Sequence, residues 1–392
     1  KAKPAFHKKT FLKPLHKSTE FCGTCHKVHL PPELNDYKWL RGQNHQDSFR
    51  LSGVSGSGVE SFYYPEKAET SCNECHMPTM ASDDFGAKVL DGSGELKVHD
   101  HLFPSANTAI AHFNDSPEWV LEAHRSFNEG VMRVDIFALK EGERIDAEPI
   151  APLRPLTPAL EPGGTYLFDV VIRTLKMGHA FTQGTSDSNQ PWLDVTVTDG
   201  NGEIIGRSGG MNERRAVDPW SHFVNSFVLD REGDRIATRN AEDIFISLYN
   251  NQIPPGAADV AHYTLDVPED AVGPVTFDVK LRYRKFDTGY VEFYEGEDFV
   301  RNDLPILELA RDTMAFPVAG SDATVANPTR EDFPRWQRWN DYGIALLRKG
   351  ERGELRQAAR AFEEVEALGR PDGPLNLARV YIKEGRVTRD AP

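Results

Sequence analysis

The chain has 392 residues, enough for two or three domains that each bury a core of their own. Its 60 acidic side chains outweigh 45 basic ones, and the net charge of −15 argues against a nucleic-acid partner. No apolar run approaches the ~20 residues that a membrane span requires.

The chain opens on a local basic run, Lys1, Lys3, Lys8, Lys9, Lys13 and Lys17, which reads as a solvated tail. Next comes Cys22-Gly23-Thr24-Cys25-His26, and 50 positions later Cys72-Asn73-Glu74-Cys75-His76. Each is a Cys-x-x-Cys-His pattern, and together they use all 4 cysteines. Two thiols three positions apart can add to the two vinyl groups of one haem, and the histidine that follows is placed to ligate the iron, so the pattern reads as c-type haem attachment. A zinc ribbon would tolerate any residue after the second cysteine and spaces its knuckles by roughly 15–20 residues. A redox dithiol would be expected once, beside a βαβ pattern. Both fit less well than two haems c per chain bound by Cys22, Cys25, His26, Cys72, Cys75 and His76.

Residues 1–125 are dense in histidine and poor in periodic hydrophobicity. This predicts a mostly irregular and α-helical segment whose core is porphyrin, with an irregular loop over residues 51–58. Eleven of the 13 histidines remain once the two attached ones are set aside, so a second histidine on each iron is affordable. Met77 and Met80 are tethered too close to His76 to reach the far face. His101, in a loop-like stretch after a Gly/Asp turn, and His16, six residues before Cys22, are the local candidates for second ligands. For His7, His29 and His45 an ordinary hydrogen-bonding role is favoured.

Residues 126–325 change texture. Tyr166-Leu167-Phe168-Asp169-Val170-Val171-Ile172, Trp192-Leu193-Asp194-Val195-Thr196-Val197, Ile244-Phe245-Ile246-Ser247-Leu248-Tyr249 and the run from Val275 to Tyr283 are rich in β-branched and aromatic residues. Turn signals such as Asp199-Gly200-Asn201-Gly202 and Pro254-Pro255-Gly256 bound them, and no amphipathic helix is expected between them, which predicts an antiparallel β-sandwich. His179, in Met177-Gly178-His179-Ala180-Phe181, has glycine beside it, so its loop could approach another surface closely and carry the ring to an iron. Asp187 and Asn189 would suit Ca²⁺, but two oxygens are too few to make a site. No nucleophile–base–acid set appears anywhere in the chain.

In residues 326–392, Trp339, Tyr342, Gly343 and Leu346, then Ala358, Phe362 and Val365, follow tetratricopeptide spacing, with the turn at residues 350–353 and a second helix pair opening at Pro374. Repeats of this kind need neighbours to bury their faces, so the tail either docks on the sandwich or continues in a longer protein.

The stretch from Glu20 to Leu30, then Cys72–His76 followed by Met77-Pro78, then His101-Leu102-Phe103-Pro104-Ser105-Ala106-Asn107-Thr108, resembles the closing section of bacterial multihaem c-type cytochromes. The resemblance covers roughly the first 115 residues. It implies electron transfer and a distal-ligand role for His101, although Ser105 stands where the family pattern has glycine. The sandwich is similar to domains that follow such haem segments, and the tail to tetratricopeptide repeats, which implies a protein partner.

The expected function is therefore electron transfer through two bis-His low-spin haems within a larger multihaem redox chain, with other redox proteins or haem-bearing chains as partners. Covalent haem attachment is extracytoplasmic in bacteria, so the periplasm or cell surface is the expected location, with a leader and further haem-binding sequence upstream of Lys1. The alternatives are an oxidoreductase with one open iron acting on a small nitrogen or sulfur compound, and a structural subunit of a haem-containing filament or surface complex. The surplus of histidine favours a carrier over an enzyme.

Overall fold

The computed structural model describes residues 3–58, 61–321, 325–330 and 333–385. Lys1 of the basic run and residues 386–392 of the expected tail lie outside them. The chain combines helices with antiparallel sheets, in regions of very different packing.

The first 127 residues hold short elements: helices α1 (Pro4–Phe11), α2 (Thr19–His26), α3 (Pro32–Asn35), α4 (His45–Leu51), α5 (Asn73–His76), α6 (Thr108–Phe113) and α7 (Glu118–Phe127). Two small hairpins interrupt them, β1 (Lys27–Leu30) with β2 (Leu40–Asn44), and β3 (Thr79–Ala81) with β4 (Lys97–His99). Among the described residues of this region the buried hydrophobic side chains are Phe49, Ala109 and Ala111. Phe6, Phe11, Leu15, Phe21, Trp39 and Phe85 are among many large apolar groups left exposed. Part of the region packs instead on the rest of the chain, with Phe62, Tyr63 and Ala106 against the sheet core and Ala109 beside Phe286 and Val291.

From Met132 the sheets begin: β5 (Met132–Glu141), β6 (Thr165–Thr174), β7 (Gln190–Thr198), β8 (Ile204–Ser208), β9 (Ser226–Leu229), β10 (Ile246–Asn250), β11 (Ala258–Asp266), β12 (Val275–Arg284), helix α8 (Thr288–Glu295) and β13 (Ile306–Phe316). One sheet has the order β11-β6-β5 and the other β13-β12-β7-β8, every pairing antiparallel. They face each other through Phe168 of β6, whose ring stacks on Phe277 of β12 at 4.5 Å and meets Phe316 of β13 edge-on at 5.3 Å.

Two expectations change here. The Ile244–Tyr249 run yields β10 only from Ile246, paired with β9 in a hairpin outside both large sheets, and Ile246 and Leu248 stay exposed because nothing covers that face. Helix α8 also stands between β12 and β13, its first turn held by the Asp287 side chain accepting from the Tyr290 N–H at 2.8 Å.

Strand β12 alternates buried and half-buried residues, as a one-sided strand should, whereas β6 is buried on both faces. The second face of β6 is covered by helix α9 (Arg335–Lys349), on which α10 (Arg352–Ala367) and α11 (Asp372–Lys383) pack in turn. Charged residues of the β11-β6-β5 sheet are buried there because the helices supply partners. Tyr342 donates to Asp169 at 2.6 Å, Asp169 pairs with Lys140 at 2.7 Å, and Arg338 pairs with Asp135 at 2.8 Å. The sheets and the helical tail consequently share one continuous core running from Val131 to Val380.

The helical turn is sharper than expected. Gly350 adopts a left-handed conformation (φ 77°), and α10 starts at Arg352 behind a reciprocal Glu351/Glu354 capping box. Where α9 and α10 cross, a Cβ on Gly343 would lie 2.6 Å from the Phe362 ring, so only glycine permits the approach. Helix α11 opens at Asp372, two residues before the expected Pro374.

Candidate functional site

Cys22, Cys25 and His26 occupy the last two turns of α2, with His26 as its final residue. Cys72 precedes the single-turn α5, which carries Cys75 and ends at His76. The fold brings the two motifs together, since the Cys22 thiol points at Asn73 Oδ1 (3.9 Å) and the Asn73 amide donates to the His16 carbonyl (3.3 Å). Burial pushes the Cys72 thiol up to about 12, with the neighbouring Cys22 adding to the effect, and burial raises Cys75 as well. Neither position favours a thiolate, the species on which a dithiol redox couple or a zinc knuckle depends.

The two motif histidines are the ends of a row of four imidazoles. His26 lies 5.0 Å from His45, His45 lies 4.9 Å from His179, and His179 lies 6.1 Å from His76 with the last two rings only 6° from parallel. Two imidazoles on opposite sides of one metal, each at a bond of about 2 Å, have ring centres about 6 Å apart.

Each member is held by a local device. His26 and His45 meet because β1 pairs with β2 in a register that puts Lys27 opposite Asn44, leaving the residues just outside the pair side by side. His45 begins α4, which is capped by Asn44 accepting from the Asp47 N–H at 3.2 Å, while Asp47 pairs with Lys27 at 2.7 Å. His179 sits in the loop after β6. There the Ala180 N–H donates to Ser48 Oγ of α4 (2.8 Å), Ser52 Oγ donates to the Gly178 carbonyl (3.3 Å), and a Cβ on Gly178 would lie 3.2 Å from Phe49. The glycine beside His179 thus allows the close approach expected of it. His76 points Nδ1 at the Pro104 carbonyl at 2.9 Å, which makes Nδ1 the protonated nitrogen and leaves Nε2 for a metal.

Crowding by protein atoms pushes His179 down to about 4, although part of its ring stays accessible. Burial first, then the neighbouring His179 and His26, take His45 down to about 3, and burial lowers His76. Burial thus disfavours the charged form of His45, His76 and His179, and the neutral ring is the form that binds a metal. His45 Nδ1 is buried without a hydrogen-bond partner.

His101 and His16 stand apart from this row. His101 is exposed, with Nδ1 on the His99 carbonyl at 3.0 Å, and its loop instead supplies the Pro104 carbonyl that orients His76. His16 is exposed, edge-on to Phe21 at 5.0 Å. Asn189 turns its amide nitrogen to Thr182 Oγ1 (2.6 Å) and the Gln183 carbonyl (3.0 Å), bracing the His179 loop, and the half-buried Asp187 carboxyl is raised by burial. Among the described residues no three His, Cys, Asp or Glu side chains converge to hold a bare metal ion. The ordinary hydrogen-bonding role expected of His45 is not what the structure shows, since its Nδ1 is buried without a partner, and no local pattern marks the hairpin that brings it beside His26.

A porphyrin fits what is present: two Cys-x-x-Cys-His turns in contact, a histidine row joining them, an unpartnered imidazole nitrogen, and exposed apolar side chains around them.

No family model matches the chain, and no curated protein matches it. Among solved structures, a penta-haem cytochrome c552 from Thermochromatium tepidum aligns with 76% of this chain and 56% of its own, at 14% identity and TM-score 0.43. The C-terminal domain of wzt aligns with 50% of this chain and 86% of its own, at 10% identity and TM-score 0.19. The chain thus spans little more than half the length of that cytochrome. Neither likeness is strong enough to carry an argument about the site. Among the described residues no helix is long and apolar enough to cross a membrane.

Proposed function

We propose that the chain is an electron-transfer protein holding two c-type haems, bonded through Cys22 and Cys25 and through Cys72 and Cys75, with His26 and His76 as proximal ligands. The observation that supports this best is the convergence of both motif histidines on one imidazole row that includes His179 from the sheet region. Bound haem supplies a one-electron Fe(III)/Fe(II) couple. The protein supplies the ligands, orients His76 through Pro104, and brings His179 across to His76 on a loop braced by α4. In this reading the two facing sheets form a β-sandwich whose structural task includes presenting His179.

The contact between motifs through Cys22 and Asn73 supports transfer between the two centres, as part of a larger multihaem chain or assembly. The exposed apolar side chains around the motifs supply surface for a neighbouring redox protein or haem-bearing chain, and the tetratricopeptide-like tail supplies a second protein contact. Covalent attachment places the mature protein in the periplasm or at the cell surface of a bacterium.

The test is expression of the full chain with a haem-attachment system. Intact mass should show two covalent haems, and optical spectra should be low-spin in both oxidation states. A high-spin component that shifts on addition of nitrite or sulfite would instead point to an open iron and small-molecule chemistry. An intact mass without haem would end the proposal.

A further inference from the structure

Four imidazoles in a row, with the motif histidines at the two ends, leave one inner ring beside each end. His179 is the neighbour of His76. We infer that His45 is the second axial ligand of the iron held at Cys22 and Cys25, opposite His26, an assignment that rests on the two-haem reading above.

The backbone argues for it first. The Lys27–Asn44 pairing of β1 and β2 makes His26 and His45 neighbours by register, and the Lys27–Asp47 ion pair at 2.7 Å ties the start of α4 to the same hairpin. The attachment helix and the second ligand are thus two arms of one small unit. Their ring centres, 5.0 Å apart and nearly perpendicular, lie within about 1 Å of the spacing expected across a shared metal.

The state of the ring argues next. Among the described residues no group hydrogen-bonds the His45 side chain, and its Nδ1 is buried. An imidazole kept as an ordinary structural residue in such a place would leave a polar group desolvated without compensation. A metal bond at Nδ1 would give that nitrogen the partner it lacks. The ring contacts favour this pairing, because His45 lies 5.0 Å from His26 while His179 faces His76 in parallel at 6.1 Å.

The experiment uses the full chain loaded with haem in three forms: unaltered, His45→Ala and His45→Met. Electron paramagnetic resonance of the oxidised unaltered protein should show two low-spin ferric centres. In His45→Ala one of the two should become high-spin. In His45→Met it should remain low-spin while the potential of that haem alone rises, since a thioether favours the reduced iron. Repeating both substitutions in a Cys72→Ser/Cys75→Ser chain leaves only the haem at Cys22 and Cys25, and the same changes should appear there. Two low-spin centres with unchanged potentials in both variants would overturn the inference while leaving the two-haem reading intact. So would a change seen only when the second haem is present, or a loss of low-spin character in His101→Ala or His16→Ala with His45 silent. Absence of covalent haem in the unaltered protein would remove both readings together.

Discussion

Residues 3–127 and residues 131–385 fold by different means. In the second region strands of ten and eleven residues bury Phe168, Phe277, Phe316, Trp339 and Tyr342 in one core, and buried charges find partners on helices more than 150 positions away. The first region has fewer aromatic and aliphatic side chains and leaves most of them outside, around an imidazole row and four free thiols. One region carries its hydrophobic core in its own sequence. In the two-haem reading proposed above, porphyrin completes the other, and its order should depend on that group.

The comparison breaks most visibly if attachment is prevented. With Cys22, Cys25, Cys72 and Cys75 replaced by Ser, limited proteolysis should cut freely before about residue 125, with hydrogen exchange fast there, while a fragment covering the sheets and helices survives. Equal protection of both regions would mean that the first region holds itself together. In the second region, Phe168→Ala should cost about 3–5 kcal/mol in denaturant unfolding, because it empties the contact between the two sheets. Phe85→Ala, at a fully exposed position of the first region, should fall within about 0.5 kcal/mol of the unaltered protein.

The seam between the regions gives a smaller effect. Tyr63 of the first region donates to Asp341 of α9 at 2.6 Å, and Asp341 also pairs with Arg133 at 2.6 Å. Tyr63→Phe should cost about 1 kcal/mol and loosen the chain around Tyr63 before the core responds, which hydrogen exchange would register.

The smallest effect is on pH dependence. Burial of His262 opposes its charge, but Asp169 at 2.6 Å and Glu354 at 3.5 Å prevail and hold its pKa above the ordinary 6.5. Its contribution is therefore complete below that ordinary value and is lost as pH rises through the higher folded one. Stability of the sheet–helix region should decline across that window, and His262→Gln should flatten the decline in thermal melts taken at several pH values.

Local chemistry was readable from the residues. The motif turns, strands β6, β7 and β12, and the helix pair closed by Gly350 appear where β-branched runs, turn residues and helical spacing put them. The double-sided burial of β6 was not, because its Asp169 and Arg173 look like solvent-facing residues until α9 brings Tyr342 and Asp341. The glycine beside His179 marked its loop, while nothing local marked His45, and His101 lies exposed outside the imidazole row.

By itself the sequence determined which side chains can bond a haem, since both thiols and the histidine of each site lie within one short stretch of backbone. Only the tertiary structure decided which imidazoles face them. His45 arrives by strand register and His179 by a loop closed over more than 100 residues, and such meetings depend on long-range pairing that no local pattern encodes.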